Sequence, residues 1–194
     1  MIFPGKIHTR RGDKSFTSLG IGEQILKTDP RITTLGSVDE LSAIIGVVRS
    51  FSTNKIASRL REIQVDLFQI ATTIASPKTR DIEEEQGFKS SKTPQSILEA
   101  RKVALLEDWI DEYSETLPPL QNFLLPGGTK ASSLLHLARA ICRRTEREMV
   151  RLFSIVDLNP YLMQYLNRLS DFLFVCARYA NFVRDIPDEI VKGR

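Results

Sequence analysis

The sequence predicts an all-α, up-and-down five-helix bundle, on three observations. Five stretches repeat apolar residues at steps of three and four between cap or proline stop signals, the spacing of a helix face buried against neighbours. Nothing between them alternates as a strand would. Neither GxxxxGK[ST] nor GxGxxG follows a strand anywhere in the chain, so a βαβ nucleotide fold is not expected. With 194 residues, 42% of them hydrophobic, the chain can bury one core without disulfide or structural-metal support. A single domain over 1–194 is expected, with an N-terminal arm at 1–34 and a helical bundle at 35–185.

Residues 1–34 are rich in Gly, Thr, Lys and Arg and show no helical period, which predicts an irregular arm. Ser37-Val38-Asp39-Glu40 has the form of a capping box, so the first helix is expected to start at Ser37, with Val38, Leu41, Ile45 and Val48 on its inner face. Asn54 can cap a second helix, whose stripe is Ile56, Leu60, Ile63, Leu67 and Ile70, ending near Ser76-Pro77. The polar residues 77–93 have little to bury and predict a surface loop without a site.

Thr93-Pro94 offers an N-cap and first-turn proline to a third helix, carrying Leu98, Leu105, Leu106, Trp109, Ile110 and Tyr113 and stopped by Pro118 and Pro119. After the loop 120–128, a fourth helix buries Leu134, Leu135, Ala138, Ile141, Cys142, Met149 and Leu152. Asn159-Pro160 opens a fifth, with Leu162, Leu166, Leu169, Leu173, Cys176 and Ala180 inward. Short connections favour antiparallel neighbours.

Composition excludes several functions. Lys and Arg number 27 against 24 Asp and Glu, a net charge of +3, too mild to require a polyanionic partner. Cys142 and Cys176 lie in apolar helical patterns with no metal spacing and are expected to be buried, reduced thiols. No basic segment precedes an apolar run at the N-terminus, and no stretch of about 18 apolar residues occurs. The chain reads as cytoplasmic, with no membrane partner.

The fourth helix carries Arg139, Arg143, Arg144, Arg147 and Arg151 around Glu146. At 100° per residue, Arg143 lies about 40° and Glu146 about 20° from Arg139, while Arg144 points about 140° away. Two guanidinium groups could therefore meet one phosphate chain, which arginine binds bidentately at any physiological pH. The alternative is a solvated basic face with ion pairs such as Glu148 beside Arg144.

Within the arm, Thr9-Arg10-Arg11-Gly12-Asp13-Lys14-Ser15-Phe16-Thr17-Ser18 combines glycine, hydroxyls, cations and a carboxylate, as loops that wrap triphosphates do. Asp13 could help hold Mg²⁺ and Lys14 neutralise phosphate; the alternative is an ordinary terminus. Phe123, beside Leu124-Leu125-Pro126-Gly127-Gly128, is either a ligand contact or a staple on the bundle end. Asn167 and Asp171 share a face of the fifth helix. His8 and His136 make no metal pair, His136 is expected to pack, and no nucleophile–base motif is present. Catalysis here would rest on positioning and charge stabilisation.

Five motifs, Thr9-Arg10-Arg11-Gly12-Asp13-Lys14, Gly36-Ser37-Val38-Asp39-Glu40-Leu41, Leu125-Pro126-Gly127-Gly128, Arg139-Ala140-Ile141-Cys142-Arg143-Arg144-Thr145-Glu146-Arg147 and Tyr165-Leu166-Asn167-Arg168-Leu169-Ser170-Asp171, follow one another across nearly the whole chain. Together they closely resemble the PduO-type ATP:cob(I)alamin adenosyltransferases. The resemblance implies a ferritin-like homotrimer of five-helix bundles, with Mg²⁺ and ATP held between adjacent subunits and cobalamin or a related corrinoid as acceptor. Adenosyl transfer to Co(I) would give adenosylcobalamin and triphosphate.

By matching positions, the resemblance puts Thr9, Arg10, Gly12, Asp13 and Lys14 around the triphosphate, and Arg143, Glu146 and Asn167 at the nucleotide and metal site, with Glu146 as metal ligand. Arg139 would pair with Asp39 of the neighbouring subunit. Phe123 would occupy the lower face of the corrin and leave cobalt four-coordinate. A reductase and an adenosylcobalamin-dependent client enzyme fit as further partners. Ser15, Arg11 and His8 depart from the family pattern, which commonly has glycine, a small or hydroxyl residue, and tyrosine there. The rival expectation is a non-catalytic helical module that binds nucleotide or nucleic acid through the basic fourth helix.

Overall fold

A computed structural model describes residues 8, 10, 12–19, 23–75 and 99–191, and over these it contains five helices and one short hairpin. The hairpin corrects the expectation of an irregular arm. Strand β1 (Phe16–Leu19) pairs antiparallel with β2 (Glu23–Leu26) in the register Phe16↔Leu26 and Leu19↔Glu23. Among the strand residues whose burial is described, Leu19 and Ile25 are the buried ones. Two apolar anchors in four-residue strands give too few repeats for alternation to be visible in sequence.

Helix α1 (Pro30–Arg49) begins before the expected Ser37. Asp29 is its N-cap: the carboxylate accepts 2.8 Å from the Arg31 amide, and Pro30 occupies a first-turn position that needs no N–H donor. Ser37 instead lies within the helix, where its hydroxyl donates to the Thr33 carbonyl at 3.1 Å. The Ser-x-x-Glu signature was thus satisfied by chance inside a helix. The inner face is as expected, with Val38, Leu41, Ile45 and Val48 buried and Thr34 joining them.

Helix α2 (Asn54–Ala75) buries Ile56, Leu60, Ile63, Leu67, Ile70 and Ile74, with Asn54 as its first residue. Helix α3 is described over Ala100–Ser114 and buries Leu106 and Tyr113. The expected loop at 77–93, the Thr93-Pro94 start and Leu98 lie outside the described residues. Helix α4 (Lys130–Phe153) starts at Thr129, whose hydroxyl accepts from the Ser132 amide at 3.0 Å. Helix α5 (Tyr161–Phe182) is entered through Asn159, whose side chain accepts from the Tyr161 amide at 3.0 Å.

Helix α4 packs on α1 and α5, α1 on α2, and α3 on α5, so the helices lie around the core in the order α2, α1, α4, α5, α3. Polar contacts close the circle between α2 and α3. Lys55 and Arg59 of α2 both pair with Glu112 of α3, and their hydrogen bonds hold its carboxyl below the usual carboxylate range. Arg59 also covers the Tyr113 ring, 4.5 Å from its centroid. Deeper in, the buried Asp66 of α2 accepts from the Tyr165 hydroxyl of α5 at 2.9 Å and lies 2.8 Å from Lys102 of α3.

Both cysteines are free and buried, and burial pushes their thiols up, as expected for inert core groups. Among the described residues no helix is long and apolar enough to cross a membrane.

Asp66 satisfies donors on two other helices, so its removal strands a buried hydroxyl and an amine at once. We expect Asp66→Ala to lower the unfolding free energy by about 2–4 kcal/mol in urea titration. Lys102→Met should cost less, because its side chain is 26% exposed. An Asp66→Ala protein as stable as wild type would remove this carboxylate from the account of how α2, α3 and α5 are joined.

Candidate active site

Helical periodicity puts Arg139, Arg143 and Glu146 on one side of α4, and the fold sets that side against α5. The Glu146 carboxylate accepts from the Asn167 side-chain amide at 2.9 Å. Residues far apart in the chain are thereby brought to one point. The contact also orients Asn167: with its NH₂ group turned to Glu146, its carbonyl oxygen is left for another partner.

The arginines separate into engaged and unengaged groups. Arg144, on the far side as expected, pairs with Glu40 of α1, and Glu148 pairs with Arg151 at 2.7 Å rather than with Arg144. Arg147 donates to the Arg143 carbonyl at 3.1 Å. Arg143 itself is exposed, and its guanidinium makes no ion pair among the described residues. Arg139 is half-buried, 6.0 Å from the Phe174 ring centroid, and its Nε–H is buried without an acceptor. A buried cationic donor left unpaired is costly, so this side of α4 is incomplete by itself.

Asp39 stands exposed on α1 and forms no ion pair within the described chain. Although α1 packs on α4, Asp39 and Arg139 do not meet inside one protomer. Asp13, Lys14 and Arg10 are exposed in the arm, Gly12 half-buried, and Thr9 and Arg11 lie outside the described residues. Arg10 and Ser15 have φ of 57° and 64°, the left-handed region that costs a side chain roughly 1 kcal/mol or more. The departure Ser15 thus occupies a conformation suited to glycine. A Cβ on Gly12 would approach the Lys27 amine to 3.2 Å.

Phe123 is 86% exposed, which rules out the staple alternative. Its backbone is nevertheless fixed. The Phe123 carbonyl accepts from the Val191 amide at 2.8 Å, the Leu125 amide donates to the Glu189 carbonyl at 2.8 Å, and Leu124 pairs with Ile190 in an antiparallel bridge. Farther along, Asn181 donates to the Gly127 carbonyl at 3.2 Å and accepts from the Thr129 amide at 2.9 Å. Gly128 has φ +95°, and a Cβ there would lie 2.3 Å from the Asn181 side chain, so only glycine fits. The roles of Asn181 and the tail 188–191 were not read from the sequence; no periodic or motif signal marks them.

The arrangement offers an unpaired guanidinium, a carboxylate and an amide oxygen on one surface, and the loop that leads into α4 holds an aromatic on a fixed backbone. Among the described residues no group of three or more His, Cys, Asp or Glu could hold a metal, which leaves Glu146 as a carboxylate that would share one with a ligand. His136 lies beside this surface, buried, with its ring edge toward Phe174 at 6.0 Å between centroids and Nδ1 unpartnered. It packs, as the sequence suggested.

Comparison with known proteins bears directly on this surface. The family model described as cobalamin adenosyltransferase matches residues 7–180. The chain is 37% identical over 190 residues to the corrinoid adenosyltransferase MMAB of Bos taurus, covering 96% of this chain and 76% of that protein. It is 40% identical over 178 residues to MMAB of Homo sapiens, covering 90% and 68%. A solved variant of the PduO-type ATP:corrinoid adenosyltransferase from Lactobacillus reuteri, complexed with cobalamin and ATP, superposes with a TM-score of 0.83 at 35% identity, covering 97% of this chain and 100% of that one.

Burial depresses the His136 pKa, the Arg139 charge adds to this, and Asp188 opposes it. The unfolded chain therefore takes up a proton below about pH 6.5 that the folded chain resists. Stability should fall as pH drops from about 6.5 toward the depressed value, by at most about 1.4 kcal/mol per pH unit. Denaturant midpoints against pH should show this slope in wild type and a flatter one in His136→Gln; equal slopes would exclude His136 as its source.

Proposed function

The chain belongs to the cobalamin adenosyltransferase family and catalyses ATP-dependent adenosylation of a corrinoid, and from that premise we propose how its own residues carry out the transfer. The observation that carries the assignment is the Glu146–Asn167 contact beside the unpaired Arg143. It joins two separate sequence motifs into one oxygen-donor and cation surface.

In the reaction, Co(I) of the reduced corrinoid donates an electron pair to the 5′ carbon of ATP. The bond from that carbon to the triphosphate oxygen breaks, and triphosphate leaves with the bonding pair. No proton has to be removed to make the nucleophile, which fits the absence of a motif pairing a nucleophile with a base. Arg143 and Lys14 stabilise the charge on the leaving triphosphate. Thr9, Arg10, Gly12 and Asp13 surround it from the arm.

Mg²⁺ fits the donor set. Glu146 offers a carboxylate and Asn167 an amide oxygen, and magnesium is commonly held by one or two such groups together with substrate phosphates. When bound, the ion would offset negative charge on the triphosphate. Glu146 and Asn167 fix the nucleotide end against α4 and α5, so that the 5′ carbon is aligned rather than activated.

Phe123 covers the lower face of the corrin, displacing the axial base and leaving cobalt four-coordinate. Its near-complete exposure supports this role, because an unburied phenylalanine on a fixed backbone lacks a partner of its own. The working form is a homotrimer with sites between subunits. Three features support that: the buried Nε of Arg139 without an acceptor, the unpaired Asp39, and exposed apolar side chains on α1, α2 and α4 including Val47, Phe68, Leu137 and Val150. The Arg139–Asp39 pair would align two halves of one site across the boundary.

A reductase that supplies Co(I) and a client enzyme that uses the adenosylated product are the further partners this chemistry calls for. Nucleic-acid binding through α4 is not favoured. Arg144 and Arg151 are paired and Arg139 half-buried, so the helix presents no continuous cationic stripe.

Arg143→Ala should lower kcat/KM by about a hundredfold or more in a spectrophotometric adenosylation assay while helix content stays unchanged; wild-type turnover would remove Arg143 from the site. Asp39→Arg should reduce both trimer mass and activity. The double change Asp39→Arg with Arg139→Asp should restore both in part, since it reverses the pair without losing it. Failure of the double variant to recover more than either single one would refute the cross-subunit pair.

A further inference from the structure

Arg178 has a buried guanidinium, its side chain 9% exposed, in the penultimate turn of α5. Its two arms serve different segments. Nε donates to the Asp188 carboxylate at 2.8 Å, and Nη2 donates to the Pro118 carbonyl at 2.8 Å. One cation therefore holds both the start of the loop that bears Phe123 and the tail whose Glu189 and Val191 hydrogen-bond to Leu125 and Phe123. Asn181, one turn on, holds the far end of the same loop at Gly127 and Thr129.

A connection of this length between α3 and α4 would sample many conformations if only its ends were tied. It is instead held at its entry, at the aromatic and at its exit, always by α5 or the tail after it. The residue so restrained has 86% of its surface exposed. Packing of its ring explains none of this restraint. Rigid presentation of an unburied group is what a binding surface needs, because ordering it on contact would weaken binding.

We propose that Arg178 and Asp188 are positioning residues that latch the C-terminal segment onto the 118–129 loop and so fix Phe123 for the corrin. The proposal rests on the role of Phe123 given above. The latch acts on corrin binding and cobalt coordination and leaves ATP binding alone, since none of its groups touches Arg143, Glu146 or Asn167. Asp188 anchors the tail, and the Val191 amide transmits the restraint to the Phe123 carbonyl.

The test uses the protein with Mg-ATP and cob(II)alamin, reading four-coordinate cobalt by electron paramagnetic resonance, and separately measures KM for each substrate after chemical reduction to cob(I)alamin. Asp188→Ala should lower the four-coordinate fraction several-fold and raise the cobalamin KM about tenfold, with ATP affinity unchanged and faster hydrogen exchange at Leu125. Asp188→Asn, which keeps an acceptor for Arg178, should recover most of the loss. Val191→Pro removes the donor to Phe123 at an exposed position while leaving Arg178 and Asp188 in place, and should behave like Asp188→Ala.

Wild-type cobalt spectra in both Asp188→Ala and Val191→Pro, alongside loss of the signal in Phe123→Ala, would overturn the latch while leaving the role of Phe123 standing. An intact signal in Phe123→Ala would overturn both. Equal losses of ATP and cobalamin affinity would also reject the latch, since they would mark a general structural defect.

Discussion

Helices α4 and α5 pack along a shared seam, and Ala138, Cys142, Thr145 and Met149 of α4 and Leu162, Leu166, Leu169, Leu173 and Cys176 of α5 are all buried. The Cys142 thiol donates to the Leu166 carbonyl at 3.3 Å, and Thr145 donates to the Ser37 carbonyl of α1 at 3.0 Å. These contacts fix how far α4 can rotate or slide. Close packing leaves little room for either, and the position of Glu146 against Asn167 follows from it. A shift of one residue along α4 would turn Glu146 away by about 100°. The candidate surface is therefore a by-product of core packing, one helical face away from it.

What the single chain leaves unfinished is concentrated on that surface. Arg144, Arg151, Arg168 and Arg178 all have carboxylate partners, whereas Arg143 has none and the Arg139 Nε has no acceptor. Along α4 the chain thus engages Arg144 and Arg151 with carboxylates and leaves the guanidinium groups of Arg139 and Arg143 without one among the described residues, positive charge that a polyanion and a second subunit would complete. The loop at 118–129 shows the same division in another form. Its backbone is tied by Arg178, Asn181, Glu189 and Val191, while its aromatic ring is left in solvent.

Sequence reasoning failed where local signals conflicted or were short. Ser37 to Glu40 reads as a helix start, yet Asp29-Pro30 is an equally good one a few residues earlier; the segment between, Arg31 to Gly36, contains two threonines and a glycine, which weaken helical expectation. Burial of Thr34 and the half-buried Leu35 against the bundle decided the matter. The hairpin was missed because only Leu19 and Ile25 mark it. For Glu148, two arginines lie within reach on the same helix, and the choice fell to Arg151 because α1 offers Glu40 to Arg144.

The apolar stripes of all five helices, the shared side of Arg139, Arg143 and Glu146, the buried cysteines and the family were determined by the sequence itself. Each depends on period or on motif order, and a helix converts spacing directly into direction. Tertiary structure alone decided that Glu146 meets Asn167, which arginines stay unpaired, that Phe123 stands in solvent, and that Arg178 ties the tail to its loop. Those outcomes join residues distant in the chain, and no local spacing encodes which surfaces packing will bring within a hydrogen bond of each other.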